Sequence, residues 1–363
     1  MGGLPYHVLL AIRRNPLSKI RTALYFLIIK FETDFSMQAL VLTTNFRNFD
    51  NWEPLFQTII KESGSCEILS LPFRGDPSVV RMQEIESRYS VRYRQELSGL
   101  DESAITNEQL SEILQFCCTD EIDVLFLCDV QSYPSRSVLG ILETFQKRPK
   151  VIGLQHGLFQ SWWLINNNFC IDHLFLFGDR HLQMLAPTFR SRASVVGLPK
   201  LDRLQNYIAM PGDYIAYLDQ NVIDLATLEN SFSKLKEITA LPVRIREHPQ
   251  YPVSKDFTQH HSDSDILEFL AQSCWVITPH STGGIEALYL NKPLVLLPNA
   301  GLTAWAGYPG IAWQLDAQAI FAAKDRLTIY SNDVSQFLDD VVGGIRFDHT
   351  KRALEALTNY LHK

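Results

Sequence analysis

The feature that most constrains this chain is a series of short, unbroken apolar segments that each end in polar or turn-forming residues. The clearest examples are "DVLFLCD" (123–129), "KVIGLQHG" (150–157) and "HLFLFGD" (173–179). Continuous apolar runs of this length are typical of parallel strands that are covered by helices on both faces. Segments compatible with helices lie between most of these runs. The pattern therefore predicts βαβ units and an α/β fold of doubly wound parallel sheets.

A second series of the same kind indicates a second domain. It begins at "DYIAYLD" (213–219) and continues through "PVRIREHP", "CWVITPHSTGG" and "KPLVLLPN" to residue 299. The chain has 363 residues, more than the roughly 250–300 residues at which single cores usually stop growing. We predict two Rossmann-like doubly wound domains that face each other across a cleft, with ligands bound beyond the carboxyl ends of the strands. The predicted units are a basic N-terminal segment (1–36), the two domains (37–207 and 208–345) and a C-terminal helix (346–363).

The composition argues against several classes of function. A formal net charge of −7 makes nucleic acid an unsuitable partner, because a phosphate backbone requires a basic surface. The six cysteines form no CxxC pair, which indicates a reducing compartment and neither a disulfide framework nor a zinc site. Asp263-Ser264-Asp265 has the spacing of a metal-binding DxD motif, but it directly precedes a predicted helix, where Ser and Asp are preferred caps. We predict no metal site.

The N-terminal segment carries an unusual concentration of positive charge. No stretch of about 20 apolar residues is present, so no transmembrane helix is expected. Residues 8–31 combine a short apolar run, "ALYFLII", with flanking basic side chains: Arg13, Arg14, Lys19, Arg21 and Lys30. A helix of this type can lie on an anionic membrane surface. The alternatives are a helix packed on the protein itself and a partly disordered leader. We expect a cytoplasmic protein, with peripheral contact with the inner membrane through residues 8–31 as the open question.

The stretch "TPHSTGGIEALYLNKP" has the pattern of a strand, a glycine turn and a helix. Gly283 and Gly284 allow an anion to approach the backbone, and the hydroxyl groups of Ser281 and Thr282 can donate to it. Glu286, one turn into the helix, could accept hydrogen bonds from ribose hydroxyl groups. The pattern favours phosphate binding. The alternative is that Ser281 or Thr282 caps the helix and Glu286 completes the cap.

A second polar cluster follows the strand "VRIR". Arg244 and Arg246 share one face of this strand, and either could neutralise a phosphate. Pro249 ends the strand and holds His248 at its carboxyl end, where the imidazole could donate to a nucleotide phosphate. A histidine in an ordinary turn is the alternative.

The third cluster is Gln155-His156-Gly157, directly after a predicted buried strand. The strand belongs to the first domain, so its carboxyl end should open on the cleft. We predict that His156 is a general base. Gln155, Gly157 and Trp162 would form the side of the site that holds the acceptor. The alternative is a turn histidine satisfied by the backbone. The segment "GLPKLD" (197–202) favours a structural turn, with Asp202 either capping the following helix or reaching the cleft.

These motifs, taken in order, resemble those of the GT-B glycosyltransferases of bacterial surface-polysaccharide synthesis. The ordered set is QHG (155–157), GLPKLD (197–202), HP (248–249) and STGGIEAL (281–288), followed by KP (292–293). The most similar groups are the capsule-synthesis proteins that handle Kdo, the CDP-glycerol glycerophosphotransferases and the bacterial sialyltransferases. The resemblance covers about residues 125–299.

The resemblance implies a metal-independent enzyme without a cofactor, whose nucleotide-activated sugar donor is a substrate. It implies that His248, Ser281 and Thr282 bind a cytidine nucleotide, such as that of a CMP-sugar, mainly through its phosphate. It also implies that His156 is the base acting on a glycan or lipid-linked glycan acceptor of a capsule, an O-antigen or a similar polymer. The acidic motif of several sialyltransferases is absent, which argues against sialic acid as the sugar.

Two other functions fit part of the pattern. UDP-GlcNAc 2-epimerases share the architecture and some of the motif order, but the run of acids after their glycine turn is reduced here to Glu286. A non-catalytic scaffold of a polysaccharide assembly complex is the third alternative. The expected function is transfer of a sugar, or of a glycerophosphate unit, from a nucleotide donor to a surface glycan.

Overall fold

The computed structural model describes the two predicted sheets and most of the helices around them. The described residues are 37–43, 46–63, 65–70, 79–93, 106–117, 121–130, 133–157, 171–207, 212–219, 229, 232–233, 236–237, 239–246, 265–279, 281–296, 313–314 and 332–362. The predicted basic segment at 1–36, with its possible membrane contact, lies outside them. No helix in this part of the chain is long and apolar enough to cross a membrane.

The first sheet has seven strands in the described residues, in the order β3-β2-β1-β4-β5-β6-β7, and every neighbouring pair is parallel. The strands are β1 (Gln38–Thr43), β2 (Ser65–Ser70), β3 (Ser90–Tyr93), β4 (Val124–Leu127), β5 (Lys150–Leu154), β6 (His173–Leu176) and β7 (Ala193–Val195). The direction of winding reverses between β1 and β4, which are neighbours. Such a switch point opens a crevice at the carboxyl ends of the strands.

Helices connect these strands and cover the sheet. They are α1 (Phe46–Ser63), α2 (Val79–Glu86), α3 (Asn107–Cys117), α4 (Tyr133–Leu142), α5 (Asp179–Met184) and α6 (Pro187–Arg190). Helix α1 packs an aromatic face on the sheet: Phe56 contacts Phe126 of β4 in a tilted arrangement, with ring centroids 5.5 Å apart, and Trp52 stacks on Phe177, 5.8 Å away. All four side chains are buried. This packing fixes α1 beside the carboxyl ends of β5 and β6.

The second sheet has five strands in the described residues, all parallel, in the order β12-β11-β10-β8-β9. The strands are β8 (Ile215–Leu218), β9 (Val243–Arg246), β10 (Trp275–Thr278), β11 (Leu294–Leu296) and β12 (Trp313–Gln314), and helices α7 (Ile266–Ala271) and α8 (Gly283–Tyr289) belong to the same layer. The predicted α/β fold with parallel sheets is confirmed.

One edge strand of the first sheet differs from what the sequence pattern indicates. The polar stretch from Asp76 to Asn107 has many charges and a helical character in sequence, yet it contains the strand β3 after helix α2. Strand β3 lies at the edge of the sheet and, among the described strands, pairs with β2 alone. An edge strand is less enclosed than a central strand, so it can contain more polar residues. Sequence patterning for buried strands misses such an edge.

The last two described helices pack against the helices of the first sheet. We call this sheet and its helices the first layer. Helix α9 (Asn332–Val342) packs on α5, and helix α10 (His349–Leu361) packs on α1 and on a 3-10 helix (Pro199–Asn206) that follows β7. Near the end of α10, Tyr360 stacks on His173 of β6, with ring centroids 4.8 Å apart. Residues from the end of the described chain therefore complete the packing of the first layer.

Candidate functional site

The predicted base, His156, lies two residues beyond the end of β5, at the carboxyl edge of the first sheet. Its Nδ1 is 3.5 Å from Oδ1 of Asp129, which follows the neighbouring strand β4. Both side chains are largely buried but still reach solvent, with 21% of His156 and 13% of Asp129 exposed. The structure thus places a carboxylate beside the imidazole, which the sequence analysis did not identify.

The backbone around His156 is fixed by several hydrogen bonds. The buried side chain of Gln155 donates from Nε2 to the carbonyl of Gly157 at 2.8 Å and accepts at Oε1 from the amide of Phe177 at 2.9 Å. From α1, Trp52 Nε1 donates to the carbonyl of Gln155 at 2.8 Å, and Asn51 Nδ2 donates to the carbonyl of His156 at 3.0 Å. Gln155, predicted to face the acceptor, therefore holds the turn that presents His156.

The arrangement of Asp129 and His156 suits general base chemistry. A carboxylate near Nδ1 favours the tautomer that is protonated there, which leaves Nε2 as the basic nitrogen. The separation of 3.5 Å between Nδ1 and Oδ1 is longer than an ordinary hydrogen bond. One sequence signal could have indicated Asp129: it is the first polar residue after the apolar run 124–128.

Gly157 and Trp162 are the other two residues predicted to lie on the acceptor side. No atom of the described residues lies within 4 Å of the position that a Cβ would take at Gly157. Glycine is therefore not required there by close packing within this part of the structure. Trp162 lies outside the described residues.

The predicted phosphate-binding segment begins directly after β10. Gly283 is packed so closely on β8 that a Cβ there would lie 2.6 Å from Leu218 Cδ1. The side chain of Ser281 accepts from the amide of Gly283 at 3.2 Å, and the amide of Gly284 donates to the carbonyl of Ser281 at 3.0 Å. Thr282 makes no side-chain capping bond. Ser281 therefore acts as a cap, which was the alternative role, and the glycine amides already have partners within the segment.

Glu286 lies on the first turn of α8 and is 2% exposed. Its Oε1 is 2.6 Å from Nζ of Lys200, a residue of the "GLPKLD" segment for which a structural role was favoured. Its Oε2 has no hydrogen-bond partner among the described residues and lies 3.6 Å from the Cβ position of Gly283. The sequence analysis identified Glu286 but missed Lys200, because no local pattern links the two residues.

The rest of "GLPKLD" is structural, as expected. Gly197 has a positive φ of 87°, and a Cβ there would lie 1.8 Å from Nδ1 of the buried His349. Asp202 accepts from the amides of His349 at 3.1 Å and Thr350 at 2.7 Å. It therefore caps α10, a helix distant in sequence, rather than the helix that follows it. Likewise, Asp265 of the declined DxD motif caps α7 by accepting from the amides of Leu267 and Glu268.

The two arginines of β9 differ in placement. Arg244 is 46% exposed, stacks 4.2 Å over the ring of Tyr214 and lies 4.0 Å from Asp213. Tyr214 and Asp213 precede β8, whereas the Ser281–Gly284 segment follows the carboxyl end of β10, so the structure does not bring Arg244 to that segment. Arg246 pairs in register with Leu218 at the carboxyl end of β8. His248 lies outside the described residues.

A family model matches part of the second half of the chain. Residues 243–341 match a family model described as capsule polysaccharide biosynthesis protein. This match includes β9, the Ser281–Gly284 segment and most of α9. No curated protein matches the chain.

Solved structures show the same fold over nearly the whole chain. One is a candidate UDP-N-acetylglucosamine 2-epimerase from Listeria monocytogenes, 12% identical, with a TM-score of 0.67 over 90% of this chain and 97% of that one. A second is the UDP-GlcNAc 2-epimerase of Methanocaldococcus jannaschii in complex with UDP-GlcNAc and UDP, 12% identical, with a TM-score of 0.63 over 89% and 99%. A third is the calicheamicin glycosyltransferase, 13% identical, with a TM-score of 0.60 over 91% and 99%. The chain has the GT-B fold that these glycosyltransferases and epimerases share.

Proposed function

We propose that this chain is a glycosyltransferase that moves a sugar, or a glycerophosphate unit, from a nucleotide-activated donor to a surface glycan. The observation that carries the proposal is the pairing of His156 with Asp129 at the carboxyl edge of the first sheet. A base held there by a carboxylate is what an acceptor hydroxyl needs for attack. A positioned base contributes on the order of 10²–10⁴ in rate.

The proposed reaction divides the work between the two sheet layers. Nε2 of His156 takes the proton of the acceptor hydroxyl as its oxygen forms a bond to the anomeric carbon of the donor sugar. The bond from that carbon to the nucleotide phosphate oxygen breaks, and the electron pair leaves with the phosphate. Donors around the Ser281–Gly284 segment, together with His248 from the HP motif, would stabilise the charge of the leaving group.

The partners follow from the same proposal. The match of residues 243–341 to the capsule polysaccharide model supports a glycan or lipid-linked glycan acceptor of a surface polymer. A cytidine nucleotide donor is proposed from the motif resemblance, with no cofactor beyond it. We further propose a cytoplasmic location, with residues 8–31 in peripheral contact with the inner membrane.

Nucleotide binding is the direct test of this function. A ligand that binds the native state raises the melting temperature in proportion to its affinity. We expect one of CMP, CDP, UMP, UDP or GDP to stabilise the full chain, with the cytidine nucleotides strongest. If none of the five binds, the transferase proposal fails and a non-catalytic scaffold becomes the better account.

A second candidate is a UDP-GlcNAc 2-epimerase, favoured by the two epimerase structures that superpose over the whole fold. An epimerase needs no acceptor, so incubation with UDP-GlcNAc alone separates the two functions. The transferase proposal predicts no UDP-ManNAc in the proton NMR spectrum. Its formation, lost on replacement of active-site residues, would establish the epimerase instead.

A further inference from the structure

We propose that Lys200 is a donor-binding residue, which supplies the positive charge that holds the nucleotide phosphate at the Ser281–Gly284 segment. This inference rests on the proposed function, because it assigns a residue to the donor site. Nζ of Lys200 is 2.6 Å from Oε1 of Glu286, and an ammonium group with three donors can keep this contact while it binds a phosphate.

The amides at the start of α8 already have acceptors within the chain. The amide of Gly283 donates to Ser281 Oγ, that of Gly284 to the carbonyl of Ser281, and that of Ile285 to the carbonyl of Thr282. Backbone donors that are already engaged give little to an incoming anion. A phosphate bound at this segment therefore needs a cationic side chain, and among the described residues Lys200 lies beside it, with Nζ 2.6 Å from Oε1 of Glu286.

Oε2 of Glu286 is buried and has no hydrogen-bond partner in the described part of the chain. An ionised carboxylate with one unsatisfied buried oxygen is costly, so such an arrangement is typical of a site that a ligand completes. Oε2 lies 3.6 Å from the Cβ position of Gly283, at the start of α8. A hydroxyl donor of the nucleotide ribose or of the sugar is the chemistry that would satisfy it.

The 3-10 helix that carries Lys200 has a second basic residue that pairs with a buried glutamate. Arg203, three residues after Lys200, pairs with the buried Glu53 of α1 at 2.5 Å. The other oxygen of Glu53 accepts from Gln57 at 3.2 Å and from Arg88 at 3.3 Å. Both carboxylate oxygens of Glu53 thus have partners, as expected of a structural ion pair, whereas Oε2 of Glu286 has none among the described residues. The two pairs have the same chemistry but differ in whether an oxygen is left for a ligand.

The 3-10 helix is well suited to position Lys200. Pro199 and Leu201 on either side of it are buried, Asp202 is bound to the first turn of α10, and Arg203 is bound to α1. The backbone is therefore anchored in the first layer, while the ammonium group, on its flexible side chain, can contact the carboxylate and a phosphate together. Lysine binds phosphate as a compact charge with three donors.

The test measures phosphate recognition separately from nucleoside recognition. Dissociation constants of CDP, UDP, cytidine and uridine are determined by calorimetry for the full wild-type chain and for Lys200→Met. We expect Lys200→Met to weaken binding of the preferred diphosphate by about 10- to 100-fold, the loss of one charge-assisted contact. Binding of the matching nucleoside, which carries no phosphate, should change by less than about threefold.

Two further variants keep the result interpretable. Lys200→Met combined with Glu286→Gln removes both charges, so a loss of diphosphate affinity there does not come from leaving a carboxylate buried and unpaired. Arg148→Met is the control, since it breaks another ion pair, with Asp172 at the amino ends of β5 and β6, and should leave diphosphate affinity unchanged.

Two outcomes would overturn the inference while the proposed function stands. One is diphosphate affinity within about threefold of wild type in both Lys200 variants. The other is an equal loss for diphosphate and nucleoside, which would show that Lys200 only supports the fold. If the wild-type chain binds none of the nucleotides, the proposed function fails, and the role of Lys200 fails with it.

Discussion

The indole N–H of Trp52 donates to the main-chain carbonyl of Gln155 at 2.8 Å, so helix α1 fixes the segment that carries His156. Trp52→Phe keeps an aromatic ring in the core but leaves that buried carbonyl without its donor. We expect a loss of about 1–3 kcal/mol in the free energy of unfolding, measured by urea denaturation, because an unsatisfied buried acceptor and a small cavity both cost stability.

The same substitution should also lower turnover, because one of the hydrogen bonds that hold the backbone next to His156 is lost. Phe56→Leu is the matched control: Phe56 lies on the same helix and is equally buried, but no hydrogen bond joins its ring to Gln155. It should lose comparable stability and keep its turnover. Equal turnover in the two variants would mean that the Trp52 contact does not position His156.

The Asp129–His156 pair predicts a graded loss of catalysis. In an assay of donor turnover, His156→Ala should lose on the order of 10²–10⁴ in rate. Asp129→Asn should lose about 10² or more, since the amide no longer favours the tautomer with a basic Nε2. Nucleotide binding, measured by calorimetry, should persist in both variants. Full activity of His156→Ala would exclude it as the base.

Two buried histidines predict a loss of stability in mild acid. Burial lowers the pKa of His181 to about 3, with the nearby Arg180 charge acting in the same direction, and burial also lowers the pKa of His349. Unfolded histidine titrates near about 6.5. Between that value and the folded pKa the unfolded chain binds more protons, so stability is complete above about pH 6.5 and falls as the pH is lowered.

At about pH 5 the loss from His181 should be about 2 kcal/mol relative to neutral pH. Urea denaturation at the two pH values measures it. His181→Phe should reduce the pH dependence by that amount, whatever its effect at neutral pH. Phe189→Leu, at a buried residue that does not titrate, is the control that should leave the pH dependence intact. An unchanged slope in His181→Phe would contradict the assignment.

Two glycines of the recognised motifs should respond differently to alanine. Gly197 has a positive φ, and a Cβ there would collide with His349. Gly197→Ala should therefore cost more than about 2 kcal/mol, from backbone strain and the displaced ring. Gly157→Ala should stay within about 1 kcal/mol, since space is open among the described residues. Comparable losses in thermal denaturation of the two variants would show that the Gly197–His349 contact is not tight.

The strands that carry the candidate site were predictable from the sequence, whereas the contacts between its side chains were not. The strands that end at Thr278 and before Gln155 were recognisable, because buried parallel strands produce unbroken apolar runs. Asp129 was not connected to His156, since that contact depends on β4 and β5 being neighbours, which the sheet order decides. Lys200 was missed for a stronger reason: its partner, Glu286, belongs to the other sheet layer.

The role of Ser281 shows a different limit. A hydroxyl before two glycines fits a helix cap as well as a phosphate ligand, because both use the same donors and acceptors. Only the hydrogen bond from the Gly283 amide distinguishes them in this state. The edge strand β3 was missed because one-sided pairing removes the apolar pattern on which strand recognition depends.

The capping of α10 by Asp202 has a consequence for how the protein is made. Because α10 packs on α1 and is capped from the segment after β7, the first layer cannot complete its core until residues 349–361 have left the ribosome. We expect the nascent first layer to remain incompletely folded throughout synthesis of the second, a period in which exposed apolar surface invites chaperone binding.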